Sequence, residues 1–117
     1  MSNTTMNFEI PFLKNTQSPN HVTKAEFDSS KVAVVAKFKV ELNDQVTFHI
    51  SGPNGIKYSR EANASPGGVS NGEVGVKLDD VQDHQLIGTK AVVYYTVRRN
   101  NIEQGRSAEF QFSVAAS

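Results

Sequence analysis

The chain has 117 residues, of which 38% are hydrophobic and 21% are charged, and it contains no cysteine. This composition is typical of a folded globular protein, and it excludes disulfides and thiolate metal sites. Twelve basic and twelve acidic side chains cancel, which argues against nucleic acid as a partner and against attraction to an anionic membrane.

The N-terminal segment MSNTTMNFEIPFLKN lacks a basic stretch followed by a long apolar run, so it does not resemble a cleaved signal peptide. Nowhere does an apolar run reach the roughly 18 residues that a transmembrane helix needs. We therefore expect no membrane insertion, and a location that is cytoplasmic or reached by export without a cleaved signal peptide. Within this segment FEIPFL is a candidate edge strand, because Pro11 cannot donate to a strand ladder.

Alternating apolar and polar residues, separated by turn residues, dominate the chain from residue 31 onward. The segments that predict strands are KVAVVAKFKV, QVTFHIS, IKYSR, GEVGVKLD, AVVYYTVR and SAEFQFSV. SGPNG predicts a tight turn, because Pro53 fixes φ and Asn54-Gly55 tolerates positive φ. We interpret EANASPGGVSNG, around residues 61–72, as a mobile loop, and the polar RNNIEQGR as a connection between the last two strands.

The segment DDVQDHQLIG, residues 79–88, does not alternate and predicts one helical turn between two strands. Asp79 or Asp80 can cap this turn, and Val81 and the Leu86-Ile87 pair can pack inward. With Asp83, the same carboxylates could instead bind calcium, which the sequence leaves open. Capping is the simpler function of acidic side chains at a helix start, so we predict no metal site.

About seven short strands and no long amphipathic helix predict an all-β fold, namely a β-sandwich with Greek-key connections. We expect a single domain over residues 1–117. The pattern is least informative for residues 1–30.

Three segments resemble the immunoglobulin-like repeats of large bacterial surface and secreted proteins: NDQVTFHISGPNG, DVQDHQLIGTKAVVYYTVRRNN and SAEFQFSV. The resemblance covers residues 31–114 and implies an immunoglobulin-like Greek-key β-sandwich of about seven antiparallel strands. In that family the modules act as spacers, stalks or adhesive units, which implies a binding or structural role. This chain has one copy and no internal repeat, which favours a free-standing binder or subunit over a stalk.

The sequence offers little support for catalysis. GVSNG matches a nucleophile elbow around Ser70, but that motif requires a strand-to-helix turn above a parallel sheet. His21, His49 and His84 lack the spacing of a helical zinc site. We therefore expect a protein that is not an enzyme, with no catalytic residues and no cofactor.

The strand AVVYYTV contains two adjacent tyrosines, which must point to opposite faces of a sheet. The alternation predicts Tyr95 in the core and Tyr94 on the outer face. Tyrosine among small polar residues is common at recognition surfaces, although ordinary strand packing also favours aromatic residues. The predicted surface for a protein partner or for self-association consists of Val92, Tyr94, Thr96, Thr47, His49 and Gln111.

Carbohydrate binding is the alternative function, because sandwich lectins bind sugars through exposed aromatic and amide side chains, often on loops. The candidate glycan contacts are Tyr58, Asn63, Asn71, Asn100 and Asn101. The cations near the last hairpin, which could meet an acidic partner or keep an edge strand soluble, are Lys90, Arg98, Arg99 and Arg106. We favour a module that works by protein–protein contact, as a subunit, adaptor or adhesive domain.

Overall fold

A computed structural model describes the backbone of residues 6–117 and the side chains of residues 8–117, and its regular structure is mostly β. The predicted all-β fold class is confirmed. Ten strands lie in the described residues: β1 (Met6–Phe8), β2 (Phe12–Lys14), β3 (His21–Val22), β4 (Ala33–Lys37), β5 (Gln45–Ser51), β6 (Lys57–Asn63), β7 (Glu73–Lys77), β8 (Lys90–Arg99), β9 (Ile102–Ser107) and β10 (Phe110–Val114). The helices are α1 (Lys24–Asp28), α2 (Pro66–Asn71) and a 3-10 helix (Val81–Leu86). Within residues 6–117, no helix has the length and apolar character that crossing a bilayer requires.

The larger sheet has seven strands, and β8 lies at its centre. β5 runs antiparallel to β8 and pairs on its other side with β6, so β6 is an edge strand. The opposite side of β8 is shared, because β10 pairs with residues 90–93 and β9 with residues 96–99. β1 and β3 run parallel to β9 and β10, so the sheet is mixed and not wholly antiparallel.

The smaller sheet contains β2, β4 and β7 in that order, all antiparallel. The segment FEIPFL therefore contributes to both sheets, since β1 pairs with β9 and β2 pairs with β4. Both strands lie at sheet edges, as the proline predicts, but the chain changes sheet between them. Pro11 suits this crossing because it has no amide hydrogen to give to either ladder.

Inward-facing side chains of both sheets meet in one hydrophobic core. The alternation predicted for β5 and β8 is confirmed, because every second residue of each strand is buried. β4 departs from strict alternation, since Val35 is buried on the other face of the smaller sheet. Val35 pairs with Gly75 of β7, and a Cβ atom added to Gly75 would lie 3.0 Å from the Cγ2 atom of Val35. The glycine therefore leaves room for the Val35 side chain.

The interpretation of EANASPGGVSNG as a mobile loop is wrong for most of the segment. Residues 61–63 extend β6, and residues 66–71 form α2. Ser65 caps this helix by accepting a hydrogen bond from the Gly68 amide at 3.1 Å, and Gly72 ends it with a φ of 69°. A Ser-Pro start and a Gly end are helix signals that outweigh the loop-like composition.

The segment RNNIEQGR is half of a hairpin, and its interpretation as a plain connection is wrong. Asn100 and Asn101 have φ values of 54° and 64°, as a two-residue type I′ turn requires, and β9 follows at once. At the end of β9 the alternation of buried and exposed residues changes phase, because Ser107 is buried and the next two residues, Ala108 and Glu109, are both exposed. The Tyr95 amide donates to Ser107 Oγ at 3.0 Å, so the ladder stays satisfied where β9 gives way to β10.

Helix α1 lies in the part of the chain for which the pattern is least informative. Thr23 and Glu26 form a capping box, in which the Glu26 amide donates to Thr23 Oγ1 at 3.1 Å and the Thr23 amide donates to Glu26 Oε1 at 2.9 Å. The helix buries Phe27 in the common core, so this short segment contributes to the packing between the two sheets.

Candidate functional site

The outer face of the larger sheet collects the residues predicted to bind a partner. Thr47 pairs with Thr96 and His49 pairs with Tyr94 across β5 and β8. Gln111 pairs with Val92 across β10 and β8. Because directly paired residues point to the same side of a sheet, these residues form one surface, which we call the Tyr94 face: Val92, Tyr94, Thr96, Thr47, His49 and Gln111.

The ring of Tyr94 is held between two neighbouring side chains. The His49 ring stacks on it at 4.6 Å between centroids and 14° between planes. The guanidinium carbon of Arg106 lies 4.1 Å from the Tyr94 ring centroid. Because β5 and β9 flank β8 on opposite sides, the two contacts occupy opposite faces of the ring. Both ring faces are therefore covered, while the edge and the hydroxyl group remain available.

His49 is partly buried in this arrangement and favours its neutral form. Burial lowers the pKa of His49, and the nearby positive charge of Arg106 lowers it further. Its Nε2 atom lies 3.1 Å from Thr96 Oγ1. A neutral imidazole at neutral pH allows the His49, Tyr94 and Arg106 side chains to stack without repulsion between two cations.

We predict that Arg106→Gln raises the pKa of His49, since it removes a positive charge and leaves much of the burial unchanged. The measurement is the pH titration of the His49 ring protons by NMR. Arg98→Gln is the matched control, because Arg98 is an exposed cation with no contact to the Tyr94 ring. Equal shifts in both variants would mean that total charge, and not the Arg106 contact, sets the His49 pKa.

A cleft of about 460 Å³ opens on this side of the sheet. Tyr94 and His49 line it together with Ser51, Lys57, Ser59 and Glu109. The two charged residues carry opposite signs, and the hydroxyl groups between them can donate or accept hydrogen bonds. The cleft therefore offers mixed polar recognition beside an aromatic centre.

The structure does not bring the five candidate glycan contacts together. Tyr58 and Asn63 lie near opposite ends of β6, and the Tyr58 hydroxyl donates to Asp83 at 2.6 Å. Asn71 ends α2 and lines a separate cleft over the smaller sheet. Asn100 and Asn101 do share a small cavity, of about 170 Å³, at the end of the larger sheet.

Two of the four cations predicted near the last hairpin have partners within the chain. Arg99 forms a paired hydrogen bond with the buried carboxylate of Asp44, with both nitrogen–oxygen distances 2.9 Å, and a further ion pair with Glu41 at 3.1 Å. Arg106 packs on Tyr94. Lys90 and Arg98 are exposed, so these two are the residues that remain as open surface charge.

The acidic group near residue 80 serves as a structural cap. Asp80 accepts a hydrogen bond from the Gln82 amide at 3.1 Å and so caps the 3-10 helix, as predicted. Asp83 is fully buried, and it accepts hydrogen bonds from Tyr58, Arg60 and the Asp80 amide. The burial of the Tyr58 hydroxyl group and the negative charge of Asp83 both raise the pKa of Tyr58. In the described part of the chain, no cluster of three or more acidic, histidine or cysteine residues is arranged to hold a metal.

One of the inward positions predicted for the helical turn differs from the structure. Val81 was expected to pack inward, but its side chain is 82% exposed. Leu86 is fully buried, as predicted, and Ile87 is partly buried. Since a 3-10 helix repeats every three residues and not every 3.6, the inward positions shift.

The remaining residues singled out for chemistry are dispersed. Ser70 is exposed within α2, far from the strand-to-helix geometry of a nucleophile elbow. His84 packs edge-on against Phe27 at 5.5 Å between ring centroids, and His21 Nδ1 lies 2.6 Å from Ser113 Oγ. Both histidines therefore have packing or hydrogen-bonding partners.

Two cations of the site, Arg106 and Lys57, are absent from the residues predicted for this surface. The polar composition of RNNIEQGR predicts a connection, and a connection does not place Arg106 beside Tyr94. The signal for β9 is the Asn100-Asn101 turn, whose two positive φ values fold the chain back beside β8. Comparison with known proteins adds no assignment: no protein-family model matches the chain, and neither the curated proteins nor the solved structures contain a significant match.

Proposed function

We propose that this protein is a non-enzymatic binding module with an immunoglobulin-like Greek-key β-sandwich fold, and that it acts through protein–protein contact at the Tyr94 face. The observation that carries the proposal is the Tyr94 ring, fixed between His49 and Arg106 on the outer side of the larger sheet. A side chain that is already immobilised loses little conformational entropy when a partner binds.

Two features of the chain path support the immunoglobulin-like assignment. The N-terminal segment changes sheet at Pro11, so that β1 lies beside β9 and β2 lies beside β4. Connections also pass between the sheets, because β4 and β7 belong to the smaller sheet while β5, β6 and β8 belong to the larger one. Crossings of this kind are typical of Greek-key sandwiches.

The geometry favours a protein over a sugar as the partner at the Tyr94 face. Sugars usually stack on the open face of an aromatic ring, and both faces of Tyr94 are covered. The adjoining cleft instead presents Lys57, Glu109 and hydroxyl groups, a mixture that suits the charged and polar groups of a protein surface. The exposed helical position of Ser70 supports a non-enzymatic role.

Position-specific photo-crosslinking tests the proposal. A photoreactive residue at Thr47 or at Gln111, both on the Tyr94 face, should yield a discrete crosslinked protein species, either with a second copy or with a protein from a cell extract. Excess wild-type protein should compete for the crosslink, and Tyr94→Ala should compete poorly. The matched control is the same probe at Lys77, which is exposed on the smaller sheet. Equal crosslinking from Lys77, or none from Thr47 and Gln111, would contradict the proposal.

Carbohydrate binding is a second candidate, and one observation favours it. The small cavity at the end of the larger sheet is lined by amide side chains and one cation: Asn43, Gln45, Arg98, Asn100 and Asn101. Amide groups can donate and accept hydrogen bonds with sugar hydroxyls. A glycan-array signal that Asn101→Ala removes and Tyr94→Ala retains would establish this function, whereas a blank array would remove its support.

A further inference from the structure

Strand β6 is a long free edge of the larger sheet. It pairs with β5 through seven consecutive residue pairs without a shift in register, and in the described residues β5 is its only partner strand. The other edge strands described for either sheet have five residues or fewer. A long, regular edge strand is a template for pairing with another strand.

The direction of the β6 backbone groups follows from the hydrogen bonds at its two ends. The Gly52 amide donates to the Ile56 carbonyl at 2.9 Å, and the Ala64 amide donates to the Asp44 carbonyl at 2.8 Å. In an antiparallel ladder the residues that bond to one neighbour alternate with those that face away. The even-numbered residues of β6 therefore bond to β5. The residues whose backbone groups face the free edge are Lys57, Ser59, Glu61 and Asn63.

The usual protection of an edge strand is weak in β6. It contains no proline and no bulge, and its inward-pointing cation, Arg60, is neutralised by Asp83 and Asp79. Lys57 and Glu61 are exposed and charged, which normally discourages pairing. However, Lys57 and Glu61 carry opposite charges, and each lies two residues from Ser59, one before it and one after it.

This spacing makes β6 complementary to itself in one register. When two β6 strands pair antiparallel about Ser59, Lys57 of each copy lies opposite Glu61 of the other. The free amide and carbonyl groups of residues 57, 59 and 61 can then form about six backbone hydrogen bonds. Shifting the centre to Arg60 or to Glu61 sets like charges opposite each other, which is destabilising.

We propose that β6 pairs antiparallel with β6 of a second copy about Ser59, which joins the two larger sheets into one continuous sheet. The contact lies along one strand only, so the dimer forms reversibly and depends on concentration. The twofold axis stands perpendicular to the sheet and places both Tyr94 faces on the same side. A binding module arranged in this way presents two sites to a partner, which increases avidity.

A charge-swap series in analytical ultracentrifugation tests the proposal. The wild type should show a monomer–dimer equilibrium, and Lys57→Glu or Glu61→Lys should each weaken dimerisation about tenfold or more, because the variant sets two pairs of like charges opposite each other. The double variant Lys57→Glu with Glu61→Lys should dimerise again. A wild type that is monomeric at every concentration, or a double variant that stays monomeric, would overturn the proposal.

Backbone variants separate this contact from the Tyr94 face. Ser59→Pro removes an amide hydrogen that points to the free edge, so the monomer should fold and the dimer should be lost. Ser59→Ala, which keeps the amide, should dimerise like the wild type, and so should Tyr94→Lys. If Tyr94→Lys abolished dimerisation while Ser59→Pro did not, the edge pairing would be wrong and contact through the Tyr94 face would remain.

Discussion

The variant Asp44→Ala should lose about 3–5 kcal/mol of the free energy of unfolding, because it breaks a buried ion pair from one side. Asp44 is fully buried and binds Arg99 through two hydrogen bonds of 2.9 Å. It also accepts a hydrogen bond from the Glu41 amide at 2.9 Å. The variant would leave that amide and the guanidinium without their acceptor. Urea denaturation at neutral pH measures the loss.

The control for Asp44 is an exposed carboxylate in an ordinary surface pair. Asp28 bonds to Lys24 one helical turn away, and Asp28→Ala should cost less than about 1 kcal/mol. Removing both partners, in Asp44→Ala with Arg99→Met, should cost less than the sum of the single variants. A loss for Asp44→Ala as small as that for Asp28→Ala would show that the pair is not structurally important.

The Asp44–Arg99 pair also makes the stability of the protein depend on pH. Burial raises the pKa of Asp44, but the hydrogen bonds from Arg99 and from the Glu41 amide outweigh it and hold the pKa below its ordinary value. Because the native carboxylate binds its proton less readily than the unfolded one, the stabilisation is complete above about pH 4 and disappears as the pH falls through the lowered native pKa.

The variant Tyr95→Ala should lose about 3–5 kcal/mol of the free energy of unfolding, since it leaves a large cavity in the core. Tyr95 is fully buried and packs against Phe48, Phe8 and Phe38 at centroid distances of 5.9, 6.0 and 6.1 Å. Its hydroxyl donates to the Glu9 carbonyl at 2.7 Å, which ties the N-terminal segment to the core. Burial raises the pKa of Tyr95 to about 12, so the phenol stays protonated near neutral pH.

Tyr94 is the matched control, because it is the same residue type one position earlier on the same strand. Tyr94→Ala removes a partly exposed ring that contacts His49 and Arg106. We expect this variant to lose about 1 kcal/mol of the free energy of unfolding. Thermal denaturation of both variants makes the comparison. Similar losses would mean that the Tyr94 ring carries as much of the packing energy as the core ring.

The central strands could be predicted because burial on one face imposes a period of two on the residues. AVVYYTV and QVTFHIS show this period, and Tyr95 and Tyr94 lie on the predicted faces. β9 and α2 were missed for a different reason. Their residues are mostly polar or small, so they are specified by turn and cap residues such as Asn100, Asn101, Ser65 and Gly72.

The sequence alone determined the all-β class, the two central strands and the outward position of the six residues of the Tyr94 face, because these depend on local alternation. Only the tertiary structure decided what each polar group contacts. Arg99 reaches Asp44 across 55 positions in the chain, and Arg106 covers Tyr94 because β9 folds back beside β8. Contacts between such distant positions depend on register and strand order, which no local pattern of residue types records.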